Sequence, residues 1–534
     1  MLRLPFKAAL LTLLSSIAVL TVAVTSNSQN QIQPVVWTAS AMEAIAREQP
    51  SPNNIEQLKD IQLFAARGEY EPFQIVVQSP AGNLADVRVD VSDLTSSDGS
   101  VIDRQNISLF REHYIQLDRP SFQWWPANPT RGRGLYADGL IPFVNPETGE
   151  DIQGAELDAI PFNLPAQSNQ PIWVDVFVPR SATPGEYQAS YTVESDRGSA
   201  EGKIKLTVWD FELPVQPSFD SFFDIWEDRG IEAQTLILQH RLMSSQRIEY
   251  PDQAAAFEAL GVKSVRLPFW SGANYQTCTM DPAPTVAELE AAAALFPLDV
   301  QRYVFSVDEI DLCQGLEQPL KQWGQNVHAA GLKHFAVMKP KPGLYNDVDI
   351  WVLNPKMYAE AQRELRDVRA LGDEVWFYTG YSTDYSPLWH LDSSPINFRI
   401  PQGWIAHSLD LQGVQIARVD TWTERPWEQV PIYEQGDIDY PGIEMLFYPG
   451  DKVGLDRVVP SIRLKRLREG MEDYEYTELL KNMGQERWAM NIVRKVGRDW
   501  RHWTKNPQVL YQARQTLGSE IDRLARLDVL SGES

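Results

Sequence analysis

The sequence predicts an α/β chain in three parts: an antiparallel β-sandwich, a (β/α)8 barrel, and a set of C-terminal helices. Three observations predict it. Short alternating strand-like runs separated by turns fill residues 34–210. Strand-like and helical patterns then take turns over 218–455. After Pro460 the pattern is helical over 461–530.

Ahead of these parts stands a leader. Arg3 and Lys7 make a positive start, residues 8–24 are apolar, and Ala23 sits near a cleavage point before Ser26-Asn27-Ser28. This is the pattern of a signal peptide over 1–25, and the apolar stretch is somewhat short for a bilayer crossing. A secreted or periplasmic protein, free of the membrane once the leader is removed, is expected.

The sandwich rests on runs such as Phe73-Gln74-Ile75-Val76-Val77, Val87-Arg88-Val89-Asp90-Val91 and Ile204-Lys205-Leu206-Thr207-Val208, with turns at Ala81-Gly82-Asn83 and Thr183-Pro184-Gly185. Glu212-Leu213-Pro214-Val215-Gln216-Pro217 reads as a linker, since its prolines break regular structure. In the next part eight apolar runs are expected as barrel strands, at 222–225, 265–269, 303–307, 334–338, 348–353, 375–378, 414–419 and 445–448. Helical segments such as 286–295, 320–330 and 357–371 lie between them. Pro268 argues against the second run. In the last part Ser461 is placed to cap a helix whose charges pair at i,i+4, Lys465 with Glu469 and Arg468 with Glu472. That helix reads as structural, packed under or beside the barrel. Two further helices are expected over 486–503 and 507–527, the latter capped by Asn506 with Pro507 at its first position.

Composition narrows the partners. The 534 residues are 43% hydrophobic and include 17 Trp, 19 Tyr and 20 Phe, enough to fill a large core. A net charge of −24 argues against nucleic acid and against an anionic membrane surface. A neutral glycan or glycoconjugate is the simplest partner, although the same charge also serves solubility. The two cysteines and seven histidines show no metal-ligand spacing, so neither metal nor organic cofactor is expected. Cys278 and Cys313 fall in loops assigned to one rim of the barrel. Export permits a disulfide between them; two buried thiols are the alternative.

The most informative feature is Asp308-Glu309 at the end of Tyr303-Val304-Phe305-Ser306-Val307. Apolar residues that give way abruptly to two acids suggest a buried strand opening into a polar pocket, and strand C-termini carry the chemistry of α/β barrels. Glycoside hydrolysis commonly uses two carboxylates about 5–5.5 Å apart for retention, or about 6.5–9.5 Å for inversion, on opposite sides of the bond. Chain neighbours, with Cα atoms about 3.8 Å apart, approach from one side instead. That suits a mechanism in which the sugar's own 2-acetamido group attacks the anomeric carbon, one acid orienting its nitrogen and the other protonating the leaving oxygen. Like charges side by side also push the two pKa values apart and keep one acid protonated near neutral pH. The structural alternative is two acids opening a helix, where they favour the N-terminus.

Several stretches together resemble glycoside hydrolase family 123 and the wider group sharing its catalytic-domain signature. They are the run from Tyr303 to Glu309 and Asp347-Val348-Asp349-Ile350-Trp351-Val352. Tyr448-Pro449-Gly450 follows, then Ser461-Ile462-Arg463-Leu464-Lys465-Arg466-Leu467-Arg468-Glu469-Gly470-Met471-Glu472-Asp473-Tyr474-Glu475-Tyr476. Ala66-Arg67-Gly68-Glu69-Tyr70-Glu71-Pro72-Phe73 is similar to that family's N-terminal sandwich. The resemblance implies a β-sandwich, a (β/α)8 barrel and a retaining β-N-acetylgalactosaminidase-type activity. It places Asp308 as stabiliser of the acetamido group and Glu309 as general acid/base. Two stretches depart from the pattern. Ile310 stands where a proline is common, and the late strand reads Gly413-Val414-Gln415-Ile416-Ala417-Arg418-Val419-Asp420-Thr421-Trp422 in place of a Trp-rich run. These departures bear on sugar specificity.

Sugar C–H faces stack on aromatic rings. Tyr378, Trp422, Trp351, Trp270, Tyr448 and Trp226 near strand ends are the candidate platform, each with core packing as its alternative. Asp420 is a candidate for sugar hydroxyls. It is also the candidate remote carboxylate in a rival two-acid mechanism on a glycoside without an acetamido group. A non-catalytic carbohydrate-binding envelope protein is the further alternative.

Overall fold

The computed structural model describes residues 33–532 apart from 123–127, 246–250, 297–298, 312, 314 and 380–385. The leader expected over 1–25 lies outside the described residues. No helix among the described residues is long and apolar enough to cross a membrane.

The N-terminal part forms two sheets over one core. The first runs Val35–Ser40, Glu69–Gln78, Asn169–Val178, Ile107–Leu117 and Gly134–Pro142 in spatial order. The second runs Ile61–Arg67, Gly198–Glu212, Gly185–Ser195, Leu84–Val91 and Phe162–Leu164. Pairing is antiparallel except that Ile61–Arg67 runs parallel to Gly198–Glu212. In Gly185–Ser195 alternate residues Tyr187, Ala189, Tyr191 and Val193 turn inward, as a strand half-open to water requires. In contrast, Glu69–Gln78 and Asn169–Val178 are buried along nearly their whole length. Their second face is covered by the long helix Ile462–Asn482.

The middle of the chain holds a seven-stranded, all-parallel sheet in the order Asp220–Phe223, Gly413–Ile416, Glu374–Phe377, Ile350–Leu353, Lys333–Val337, Gln301–Asp308 and Ser264–Arg266. It curves into a nearly closed barrel. The two end strands approach through Ser264, whose hydroxyl donates to Asp220 Oδ1 at 2.6 Å, and through Ser244, which forms a single parallel bridge with Phe223. Seven of the eight expected runs contain strands of this sheet; the eighth does not. Phe447–Pro449 pairs antiparallel with Val458–Pro460 outside it. Pro268 falls beyond the end of Ser264–Arg266. Phe222, Tyr303, Phe305, Phe335, Val337, Ile350, Val352 and Trp376 pack the interior of the barrel.

The C-terminal part is helical: Ile462–Asn482, Glu486–Val496 and Pro507–Gly532. The second helix stops short of the expected 503, and Gly497–Asp499 pairs with His502–Trp503 instead. Ser461 Oγ accepts from Leu464 N at 3.1 Å, the expected cap. The charges of the first helix are buried rather than spread over a wet face. Arg468 lies 4.0 Å from Glu472, while Lys465 turns away from its own helix to Asp175 at 2.6 Å. Arg463 forks onto Asp138 at 2.7 and 2.8 Å, and Arg468 reaches Asp175 at 3.0 Å. Arg514 meets Glu71 at 2.9 Å, and Arg399 forks onto Asp473 at 2.5 and 2.7 Å. This web ties the sheets, the barrel and the helices together. Buried charges persist only where such partners satisfy them.

Candidate active site

Strand Gln301–Asp308 decides the direction of the acids. Tyr303 and Phe305 face the barrel interior, and Val304 faces outward. Regular alternation would send Val307 inward and Asp308 outward. A β-bulge intervenes. Phe305 pairs with Phe335 but Val307 pairs with Ala336, so two residues of this strand oppose one of its neighbour. The extra residue reverses the facing of everything after it. Val307 therefore packs outside among the helices. Asp308 lies beside Val337, an interior residue, and shares its side of the parallel pair.

Glu309 leaves the strand with φ of +50°, a conformation that costs a non-glycine residue about 1 kcal/mol or more. Its N–H still donates to Val337 O at 2.8 Å. The turn brings its carboxylate to Tyr378, which stands just past strand Glu374–Phe377 and donates its hydroxyl proton to Glu309 Oε1. Asn354 Nδ2 donates to the same phenol oxygen at 3.0 Å. Asn354 is itself fixed, because its Oδ1 accepts from Met357 N at 2.9 Å and caps helix Pro355–Glu360. With one lone pair of the phenol taken by Asn354, the hydroxyl proton is aimed at Glu309.

Burial, reinforced by the charge of Glu309, pushes the Asp308 carboxyl up to about 7. Burial and then Glu309 hold the Tyr378 phenol well above its ordinary range, so it stays a proton donor. Near neutral pH Asp308 therefore shares its proton between bound and free forms beside a second acid, the situation general acid–base chemistry needs.

Several exposed aromatic residues lie on segments that follow strands of the barrel. Tyr433, on the hairpin Ile432–Gln435 and Ile438–Pro441, is 41% exposed. Its phenol is raised by burial, then by Glu444 and Glu309, with smaller contributions from Tyr275 and Asp308. Tyr275 is 62% exposed and is anchored by the Cys278–Cys313 disulfide, with both sulfurs within 3.7 Å of its carbonyl oxygen. That disulfide links the loop after Ser264–Arg266 to the loop after Gln301–Asp308. Trp270 is 42% exposed and meets Phe305 edge-on at 5.2 Å. Trp226 is 58% exposed, with the Arg418 guanidinium 5.1 Å from its ring.

Three expected sugar contacts are packed away from any opening. Trp351 is fully buried on the outer side of the barrel wall, and its indole N–H donates to Asp373 at 2.9 Å. Tyr448 is fully buried against the N-terminal core and donates to Asp138 at 2.5 Å. Asp420 has no accessible surface. It accepts the N–H groups of Trp226 and Glu227 at 3.2 and 2.8 Å, and Arg418 Nε at 3.1 Å, with Arg229 at 3.4 Å. It holds a loop, and its carboxylate oxygens are taken up by these donors. Trp422 is partly buried, and its ring face is covered by Arg229 at 3.7 Å.

Asn354 and Tyr433 were not among the expected residues, although each carried a local signal. Asn354-Pro355 is a helix-start pair, and the Gly436-Asp437 turn marks a hairpin. Among the described residues no group of three His, Cys, Asp or Glu is placed to hold a metal ion. A small pocket lined by Glu112, Asp138, Arg463 and Arg466 lies between the first sheet and the helices, and neither Asp308 nor Glu309 borders it.

Two family models match the chain: the glycoside hydrolase 123 N-terminal domain over residues 37–195 and the glycoside hydrolase 123 catalytic domain over 321–480. No curated protein sequence matches it. Among solved structures it is similar to a family 123 glycoside hydrolase from Clostridium perfringens, solved in a study of glycolipid glycan hydrolysis. The TM-score is 0.64 at 13% identity, covering 94% of this chain and 100% of that one. A β-glucuronidase from Parabacteroides merdae overlaps 64% of this chain and 48% of its own, with a TM-score of 0.25 at 9% identity, too little to bear on the fold. The two matched spans flank the acid pair and its bulged strand, and together they take in more than half of the sequence. The chain belongs to glycoside hydrolase family 123.

Proposed function

We propose that this glycosidase hydrolyses β-linked N-acetylhexosaminides, N-acetylgalactosaminides foremost, with retention and with help from the substrate's acetamido group. The observation that carries this is the convergence of two adjacent acids and a donating tyrosine at the C-terminal ends of barrel strands. No second carboxylate is needed across the bond, and Asp420, the candidate for that place, is buried and holds the N–H groups of Trp226 and Glu227.

In this reading the acetamido oxygen attacks the anomeric carbon as the glycosidic C–O bond breaks, and Glu309 gives its proton to the leaving oxygen. The acetamido N–H faces the Asp308 carboxylate, which stabilises the cyclic intermediate. Glu309 then takes a proton from a water that opens the ring at the same carbon and face, restoring the acetamide. In the free enzyme burial favours the proton on Asp308. Binding an N–H donor against Asp308 reverses that preference and leaves the pair's proton on Glu309, where the leaving group requires it.

The architecture read with this function is a (β/α)8 barrel over 218–455, its eighth strand reduced to the Ser244 bridge, behind a β-sandwich over 34–210 and ahead of helices over 461–530. The leader over 1–25 supports export to the periplasm or medium, where glycans or glycoconjugates are met.

A panel of aryl N-acetylhexosaminides and plain hexosides, with a thiazoline mimic of the cyclic intermediate as inhibitor, tests the reading. Turnover of acetamido sugars alone, blocked by the thiazoline, is expected. Equal turnover of plain hexosides, or indifference to the thiazoline, overturns it.

A further inference from the structure

The bulge that aims Asp308 is clamped from both sides. Ser306, the extra residue, is fully buried. Its carbonyl oxygen accepts from Ser271 Oγ, on the loop after the neighbouring strand. Its own hydroxyl meets His334 Nε2 at 2.6 Å, on the strand at its other side. The roles in that contact are fixed by the rest of the imidazole. His334 Nδ1 lies 2.6 Å from Asp347 O, which only accepts, so Nδ1 carries the hydrogen and Nε2 is a bare acceptor. The Ser306 hydroxyl is therefore the donor. His334 is held in turn: its backbone N–H donates to Asp349 Oδ2 at 2.7 Å, and the same oxygen binds His328 Nε2 at 2.7 Å. The clamp thus runs from the outer face of the barrel wall to the residue that reverses the strand's facing.

We propose that Ser306 and His334 are positioning residues for catalysis: their hydrogen bond holds the bulge in register and thereby keeps Asp308 in the barrel interior beside Glu309. Neither touches substrate in this arrangement. Ser306 stands on the outer side of the turn it stabilises, and His334 is wholly buried behind it. Without the clamp nothing local prefers two residues opposite one over regular pairing, and regular pairing turns Asp308 toward the helices. The catalytic consequence rests on the hydrolase reading above; the geometric one does not.

The test compares Ser306→Ala with Ser306→Thr, which restores a hydroxyl, in the full chain. Two readouts are needed: kinetics on aryl N-acetylhexosaminides with good and poor leaving groups, and the titration of Asp308 followed by carboxyl-carbon NMR, assigned with Asp308→Asn. With a fold that melts like the parent, Ser306→Ala is expected to lose about tenfold or more in kcat on both substrate types alike, the order of one lost hydrogen bond. KM should change little, and the Asp308 midpoint should move by about a unit or more. Ser306→Thr should recover most of both. Unchanged kcat together with an unchanged midpoint overturns the proposal, as does a loss that threonine leaves unrepaired. If the parent protein hydrolyses none of the glycosides, the functional reading fails on its own and the Asp308 titration alone decides the clamp.

Discussion

Asn354 donates to the Tyr378 hydroxyl at 3.0 Å and so commits the phenolic proton to Glu309. A hydrogen bond to a charged group is worth about 1.5–3 kcal/mol. Tyr378→Phe should therefore lower kcat by about 10–100-fold with little change in KM. Steady-state kinetics on an aryl N-acetylhexosaminide checks this, and a loss confined to KM would assign the tyrosine to binding alone.

In the proposed mechanism, Glu309→Gln removes the proton donor to the leaving oxygen. Turnover of substrates with poor leaving groups should vanish while activated aryl glycosides retain much of theirs, because only the former need strong protonation. Equal losses on both would remove Glu309 from that role.

Asp308 titrates near 7 in the folded protein against an ordinary 3.8. The fold favours its protonated form, so the stability this gives is complete below the ordinary value and is lost as pH rises through about 7. Asp308→Asn cannot ionise and keeps that stability. The variant's melting temperature should pull ahead of the parent's as pH rises from about 4 to 7 and hold a constant lead above. Parallel curves across thermal melts in that window would contradict the shift.

The Cys278–Cys313 bridge closes a loop with a sequence separation of 35, which the chain-entropy model values at about 3–4 kcal/mol. Cys278→Ser should lower the melting temperature. It should also raise KM for extended glycans more than for small aryl glycosides, since Tyr275 then loses its anchor on the rim. Matched KM changes for both classes would separate Tyr275 from the aglycone.

Asp175 is wholly buried, yet Arg468 and Lys465 outweigh that burial and hold its carboxyl below the usual range. Its contribution is present above the ordinary carboxylate value and lost as pH falls through the lowered one. Asp175→Asn strands two cations and should cost about 3–5 kcal/mol at neutral pH. Urea denaturation measures it, and a loss under about 1 kcal/mol would show that the cations find other partners.

The acid pair was legible because an apolar strand ends on it without transition. Its aim was not. The bulge at Ser306 exists only in the pairing with Lys333–Val337, and no local pattern announces it. The same limit explains Trp351. Both faces of a barrel strand are apolar, one toward the interior and one toward the helices, so periodicity cannot say which face a residue joins. The run at 445–448 looks like any short buried strand, and only its antiparallel partner Val458–Pro460 removes it from the barrel. Between the two end strands of the sheet, the described residues offer only the single bridge of Ser244 to Phe223, too brief to register as a pattern. The charges of Ile462–Asn482 read as pairs along one helix because their true partners, such as Asp138 and Asp175, lie about three hundred residues earlier.

That long-range wiring limits how the protein can be re-engineered. Arg463, Lys465 and Arg468 find their counterions on the N-terminal sheets, and Arg514 finds Glu71 there. Neither half is a free-standing cassette. Grafting the catalytic half onto a foreign front end, or expressing it alone, would strip several cations of their counterions, so a working chimera has to import the matching carboxylates along with the joint.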